Sequence, residues 1–380
     1  VIYVDHNATT PLAPEVLDRM LPFLREEFGN ASSIHAAGQR ARHAVDDARE
    51  QVAALIHSAP KELVFTSGGT EANNLAIRGV FAARQDVRKR IVTTVVEHPA
   101  VLDTVRSLGS AGAEVVELPV SSEGQLSWEA IEQAVTPETA LVSVMWANNE
   151  TGVLFPVERI GALCRERGVP FHVDAVQVAG KRPIDLSRVP VDLLSLSAHK
   201  LSGPKGIGAL YIRKGTPHRA VQTGGHQERG RRGGTENVAA IAGLGVAAGL
   251  AAEALARGPS PATTLRDELE RRLLAEVADV RIVGRGAERV GNTLMACFCD
   301  VEGEALLMAL DLAGICVSSG SACTAGSLEP SHVIQAMGFA PAWARGAVRF
   351  SFGRGNTEDE VAQVAAAVAA AVQTLRSSRR

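Results

Sequence analysis

The chain is poor in cysteine. Five residues in 380 (Cys164, Cys297, Cys299, Cys316 and Cys323) are few and odd in number. They point to free thiols in a reducing cytosol rather than to a disulfide framework. Charge of one sign is lacking too: 39 Lys and Arg stand against 42 Asp and Glu, a formal −3. That balance gives no pull toward nucleic acid or an anionic membrane surface. The sequence leads us to expect no uninterrupted apolar stretch of transmembrane length and no signal peptide. It shows no internal repeat and no long low-complexity tract, so a solenoid is excluded. What remains is a globular composition, 46% apolar and 21% charged. It is long enough for one large core and a smaller domain.

Strand-like runs alternate with helix-like ones through the first two thirds. The expected strands are 63–66, 91–96, 114–118, 141–146, 171–176, 193–197 and 209–213. Expected helices include 36–56, where Val45, Ala48, Val52 and Leu55 recur at helical spacing, and 156–167. Apolar strands alternating with helices argue an α/β fold, with a mainly parallel seven-stranded sheet covered on both faces. An alanine-rich helix over 238–256 leads into Arg257-Gly258-Pro259-Ser260-Pro261, which reads as a boundary. Beyond it the pattern is α+β, as for a smaller second domain.

Several segments carry candidate chemistry. Ser67-Gly68-Gly69-Thr70-Glu71 joins a strand to a helix. Free amides and the positive helix end there suit a phosphate, and an ordinary capped turn is the plainer alternative. The lysine of a nucleotide-binding P-loop is missing, which argues against a nucleoside triphosphate. Lys200, in Ser197-Ala198-His199-Lys200, follows the strand 193–197. Desolvation there would free its lone pair for attack on an aldehyde, which is how proteins hold pyridoxal phosphate. An isolated strand-end lysine more often snorkels to water. Asp174 is a carboxylate inside an apolar strand, with either a protonated pyridine nitrogen or backbone amides as its partner. Gln177 lies three residues on, within reach of the ring's phenolic oxygen.

His98, before Pro99, would stack on an aromatic cofactor and move protons, or else cap a helix. Asn149 follows a strand and would bond the ring oxygen or a substrate carboxylate, or else shape a turn. Thr235 closes a glycine-rich basic loop beginning at Gly224, which would either bring the Thr235 hydroxyl to a phosphate or be a solvated basic loop. Arg354 ends an apolar strand, and its guanidinium fork suits a substrate α-carboxylate, though a surface arginine is the commoner fate. Cys323 sits among small residues, Ser318-Ser319-Gly320-Ser321-Ala322 before it and Thr324-Ala325-Gly326-Ser327 after, as suits an exposed thiolate that must travel. Cys297 and Cys299 read as sheet residues without zinc-site spacing, and no metal is expected. Cys316 is expected to be buried in a strand.

The order of these motifs resembles the group I, NifS/IscS-like cysteine desulfurases of the class V aminotransferase family. The resemblance starts at Tyr3-Val4-Asp5-His6-Asn7-Ala8-Thr9-Thr10-Pro11. It continues through 67–74, 97–99, 148–152, 172–177, 197–200 and 232–235 to the long loop that carries Cys323. It implies fold-type I of the pyridoxal-phosphate enzymes, with a large domain (13–257) and a small domain made of both termini (1–12 and 258–380). The small domain would carry the active-cysteine loop, about 318–331. It implies a cytoplasmic homodimer with no nucleic-acid or membrane partner.

Pyridoxal 5′-phosphate would rest on Gly69, Thr70, Ser197 and His199, with Thr235 reaching in from the other subunit. Lys200 would form the Schiff base. Asp174 would hold the pyridinium, Gln177 the ring oxygen and His98 the ring face. Asn149 and Arg354 would orient L-cysteine, and Cys323 would take its sulfur for an iron–sulfur scaffold or another acceptor. A transaminase or a selenocysteine lyase would share the cofactor residues, so the Cys323 loop is what discriminates. A sulfur carrier without turnover would not need Lys200, Asp174 and His98 intact.

Overall fold

The computed structural model describes residues 1–319 and 330–378. Its described strands are β1 (Ile2–Tyr3), β2 (Leu63–Thr66), β3 (Arg90–Thr94), β4 (Glu114–Leu118), β5 (Thr139–Met145), β6 (Phe171–Asp174), β7 (Leu193–Ser197), β8 (Gly208–Ile212), β9 (Val280–Ile282), β10 (Thr293–Phe298), β11 (Ile315–Cys316), β12 (Ser318–Ser319) and β13 (Ala347–Ser351). Seven of them form one sheet in the order β2-β8-β7-β6-β5-β3-β4. Only β8 runs against its neighbours. The seven expected strands all occur, with ends shifted by up to two residues. β2, β5, β6, β7 and β8 are buried at every position. That burial explains their continuous apolar runs and the helices on both faces.

The helix Val238–Ala256 corrects one expectation, because it is long and apolar enough to span a membrane. About half of it is buried within the protein. It packs along the helices Ala36–Leu55 and Pro14–Arg25, so its apolar surface serves the core. The helices Ala36–Leu55 and Val238–Ala256 both bury alanines, Ala41, Ala44 and Ala48 in the first and Ala240, Ala247 and Ala248 in the second, and Gly245 lies against Ala48.

A second sheet has the order β12-β13-β10-β9 and is antiparallel throughout. Val4 from the amino terminus shares a buried cluster with Leu265, Leu269, Leu294, Phe298, Phe350 and Val361. β1 pairs in parallel with β11, and Asp5 bridges to Ser351. Residues 1–7 are thereby held on the carboxy-terminal part of the chain. They then run over the carboxyl edge of the large sheet, where Thr10 N donates to His199 O at 2.9 Å.

Candidate active site

β2, β3, β5, β6 and β7 point the same way, so the segments that follow them meet at one edge. That edge is where open α/β sheets bind ligands. At the end of β2, Gly68 has φ +153 and caps the helix Gly69–Arg84 without a side-chain hydrogen bond. A side chain at Gly69 would bring its Cβ within 2.9 Å of Val176 Cγ2. The first turn therefore offers bare backbone over a shallow cradle walled by Ser197 and Val176. Thr70 is exposed at its rim.

Asp174 ends β6 and is buried. Its Oδ2 accepts from Asn73 Nδ2 at 2.6 Å, and its Oδ1 from Val176 N at 3.0 Å. His98 follows β3 and caps the helix Pro99–Ser110: Nδ1 accepts from Ala100 N at 3.0 Å. The cap fixes the neutral ring with its proton on Nε2. Burial lowers its affinity for a second proton, the Asp174 carboxylate opposes this, and Lys200 and His332 add to it. To take up a proton at Nδ1, His98 must release the cap. Both readings of His98 are thus compatible: one nitrogen caps the helix while the ring faces Asp174 and Lys200.

Lys200 leaves β7 in a short 3-10 turn. Its Nζ donates to the carbonyl oxygens of Asn7 and, at 2.8 Å, Ala8. His199 pairs through Nδ1 with Thr9 Oγ1 at 3.2 Å. Burial, then the charges of Lys200 and Lys205, push it down to about 4, so it is neutral at physiological pH. Gln177 Nε2 donates to Asn7 O at 3.1 Å. After β5, Asn148 shapes the turn, its Oδ1 accepting from Glu150 N and Thr151 N. The Asn149 carbonyl accepts from Asn7 Nδ2 at 3.1 Å and Arg349 at 3.0 Å.

The family model for class V aminotransferases matches residues 2–364. The chain is 48% identical to a cysteine desulfurase of Nostoc sp. over 99% of its own length and 94% of the relative's. It is 47% identical to the cysteine desulfurase NifS of Azotobacter vinelandii, with the same coverage. A solved structure titled a NifS-like protein superposes with a TM-score of 0.92 at 38% identity, covering 98% of this chain and all of that one. The chain belongs to the NifS-like cysteine desulfurases. As a class V aminotransferase of fold-type I, it uses pyridoxal phosphate.

The site of this desulfurase fits that cofactor. Asp174 presents a buried carboxylate, and the adjacent Asn73 Oδ1 is buried without a hydrogen-bond partner. The bare amides of the Gly69 turn suit a phosphate. Thr235 is exposed in this chain. Cys323, and most of the loop assigned to it, lie outside the described residues. Cys297 is fully buried, Cys316 ends β11 half-buried, and Cys299 follows β10.

Arg354 does not enter the site. Its side chain is 70% exposed, with a nitrogen 3.7 Å from Glu15. The guanidinium inside belongs to Arg349, only 1% exposed. It bridges to Asp5 at 2.8 Å, and its Nε is buried without a partner.

Sequence reasoning also missed Asn7, Glu97, Glu150 and Lys181. Glu97 accepts from Thr94 Oγ1 and Met145 N, and burial pushes it up to about 8. Glu150 accepts from the Ser331 hydroxyl, and burial raises it to about 7. A charged residue within an apolar run, the signal that singled out Asp174, was equally present at Arg349. Asn7 and Lys181 had no such signal.

Proposed function

We propose that this chain converts L-cysteine to L-alanine and takes the sulfur as a persulfide on Cys323, as a pyridoxal-phosphate-dependent cysteine desulfurase. The observation that carries the reading is end-to-end likeness to cysteine desulfurases. When bound, the cofactor supplies an electron sink that acidifies the substrate's Cα–H. Asp174 would keep the ring nitrogen cationic, Gln177 would donate to the ring oxygen, and His98 would serve the ring face. Gly69, Thr70, Ser197 and His199 would hold the phosphate, with Thr235 of the second subunit of a homodimer.

Lys200 would hold the cofactor, and its amine would take the proton from the substrate's Cα. The Cys323 thiolate attacks the substrate sulfur. The S–S bond forms as the Cβ–S bond breaks, the electron pair stays with carbon, and protonation yields alanine. His98 supports this better as a ring platform and Nε2–H donor than as the base for Cys323, because that role would cost its cap. Asn149 orients the substrate. The buried, unpartnered Nε of Arg349 supports it, in place of Arg354, as the fork for the substrate carboxylate.

Several further features are part of the same reading. The fold divides into a large domain, 13–257, and a small one, 1–12 with 258–380. The buried cluster joining Val4 to the carboxy-terminal third supports that division. Phe28 and Ile34, each 92% exposed, support a homodimer that covers them. The free cysteines Cys164, Cys297, Cys299 and Cys316 favour the cytoplasm. The acceptor is an iron–sulfur scaffold or another thiol-bearing protein.

The deciding measurement is alanine released from L-cysteine by the wild type beside Cys323→Ala. Alanine from the wild type and almost none from the variant is the expected result. Equal release from both would transfer the reading to a lyase or transaminase.

A further inference from the structure

Beside Lys200 the structure brings in a second lysine that no motif marked. Lys181 follows the turn after β6, and its Nζ turns inward. It donates to Asn7 Oδ1 at 3.0 Å and to Gln177 Oε1 at 2.9 Å. Gln177 in turn donates from Nε2 to Asn7 O, the carbonyl that also accepts from Lys200 Nζ. Both amines therefore converge on one buried asparagine, Asn7, which is 1% exposed. An ammonium has no acceptor to offer. Lys181 thus fixes which end of the Gln177 carboxamide faces it and leaves the NH2 end toward Asn7 O and the site.

We propose that Lys181 is a positioning residue for the cofactor-bearing end of the site: it orients the Gln177 carboxamide and keeps a second positive charge beside the Lys200 nitrogen, favouring loss of the proton from Lys200. The inference rests on the desulfurase reading and deepens it. Among the described residues, the other charged or titratable groups facing Lys181 are Arg349, itself paired with Asp5, and His6, and Lys200 also faces His98 and His199. Burial and the Lys181 charge hold His6 down to about 4, so it is neutral and adds no positive charge beside Lys181. Burial first, then the Lys200 and Arg349 charges, push Lys181 down to about 7. Each ammonium thus disfavours the charge of the other. Lys181 keeps its proton more firmly once Lys200 has given up its own.

The test is a pH titration of the visible absorbance of the cofactor-loaded protein, which reports protonation of the nitrogen that Lys200 contributes. Removing a cation beside that nitrogen favours its protonated form. Lys181→Met should therefore raise the midpoint by about one pH unit or more. Lys181→Arg keeps the charge and should restore the wild-type midpoint. A merely structural role would change stability and leave the midpoint in place. If Lys181→Met does not fold, Lys181→Gln removes the charge while keeping a hydrogen-bond donor, and the same upward shift is expected. A yellow wild type whose Met or Gln variant titrates at the unchanged pH overturns the Lys181 inference alone. A wild type that takes up no cofactor overturns the cofactor reading and this inference with it.

Discussion

The glycine-rich loop that carries Thr235 is held by a buried ion pair whose removal should open it. Arg49 and Glu228 have side chains 5% and 3% exposed. They meet fork to fork at 2.9 and 2.8 Å, and the Arg49 guanidinium lies 4.5 Å from the Phe65 ring centre. Glu228 and Arg229 both sit in left-handed backbone, φ 47 and φ 58, which costs on the order of 1 kcal/mol each. The ion pair holds the loop against that strain.

Breaking such a pair from one side leaves a buried charge alone and costs about 3–5 kcal/mol. Glu228→Gln retains a hydrogen-bond acceptor, so the lower end, about 3 kcal/mol, is expected. At 1.4 kcal/mol per decade this raises the open population of the loop about 100-fold. Native-state trypsin cleavage after Arg229, Arg231 and Arg232 follows that population when reclosing is fast. The rate should rise by the same factor. A double change, Arg49→Met with Glu228→Met, removes both charges and should return the rate toward wild type. Cleavage of Glu228→Gln at the wild-type rate would refute the reasoning. The remaining anchors, Arg231 on Lys61 O and Leu63 O and Arg232 on Glu71, would then suffice.

Glu150 is fully buried and raised to about 7 from an ordinary value of 4.5, so the folded state binds its proton more tightly than the unfolded chain. Stability from this group is complete below pH 4.5 and is lost as pH rises through 7. The loss approaches about 3 kcal/mol, at 1.36 kcal/mol per unit. Glu150→Gln should therefore gain stability relative to wild type between pH 5 and pH 8 in denaturant titrations, and a pH-independent difference would count against the buried proton. For the substrate carboxylate, Arg349→Lys should raise KM for L-cysteine far more than Arg354→Lys. The loss is about 100-fold if two charged hydrogen bonds go, and the opposite order would return the role to Arg354.

The sheet was legible because its buried strands are continuous apolar runs, 63–66 and 193–197 among them, separated by helical spacing. Their carboxyl ends located the site before any contact was known. His98, Asp174, Ser197 and Lys200 were readable for the same reason: each is a polar residue at the end of an apolar run. Arg349 was readable by that rule as well, and Arg354 drew attention only because it stands beside the end of the strand. In β13 it is the position within the pleat that turns Arg349 inward, toward Asp5 and Asn149.

The amino acid order by itself determined which segments become strands, which ends of those strands carry chemistry, and which family the chain joins, because these depend on local pattern and motif order. Only the tertiary structure decided that Asn7, from the first ten residues, sits among Gln177, Lys181, Lys200, Asn292 and Thr293. The partners lie 170 to 286 residues away. A polar side chain acquires such neighbours only when the chain is folded, through a hydrogen-bond network that burial makes obligatory.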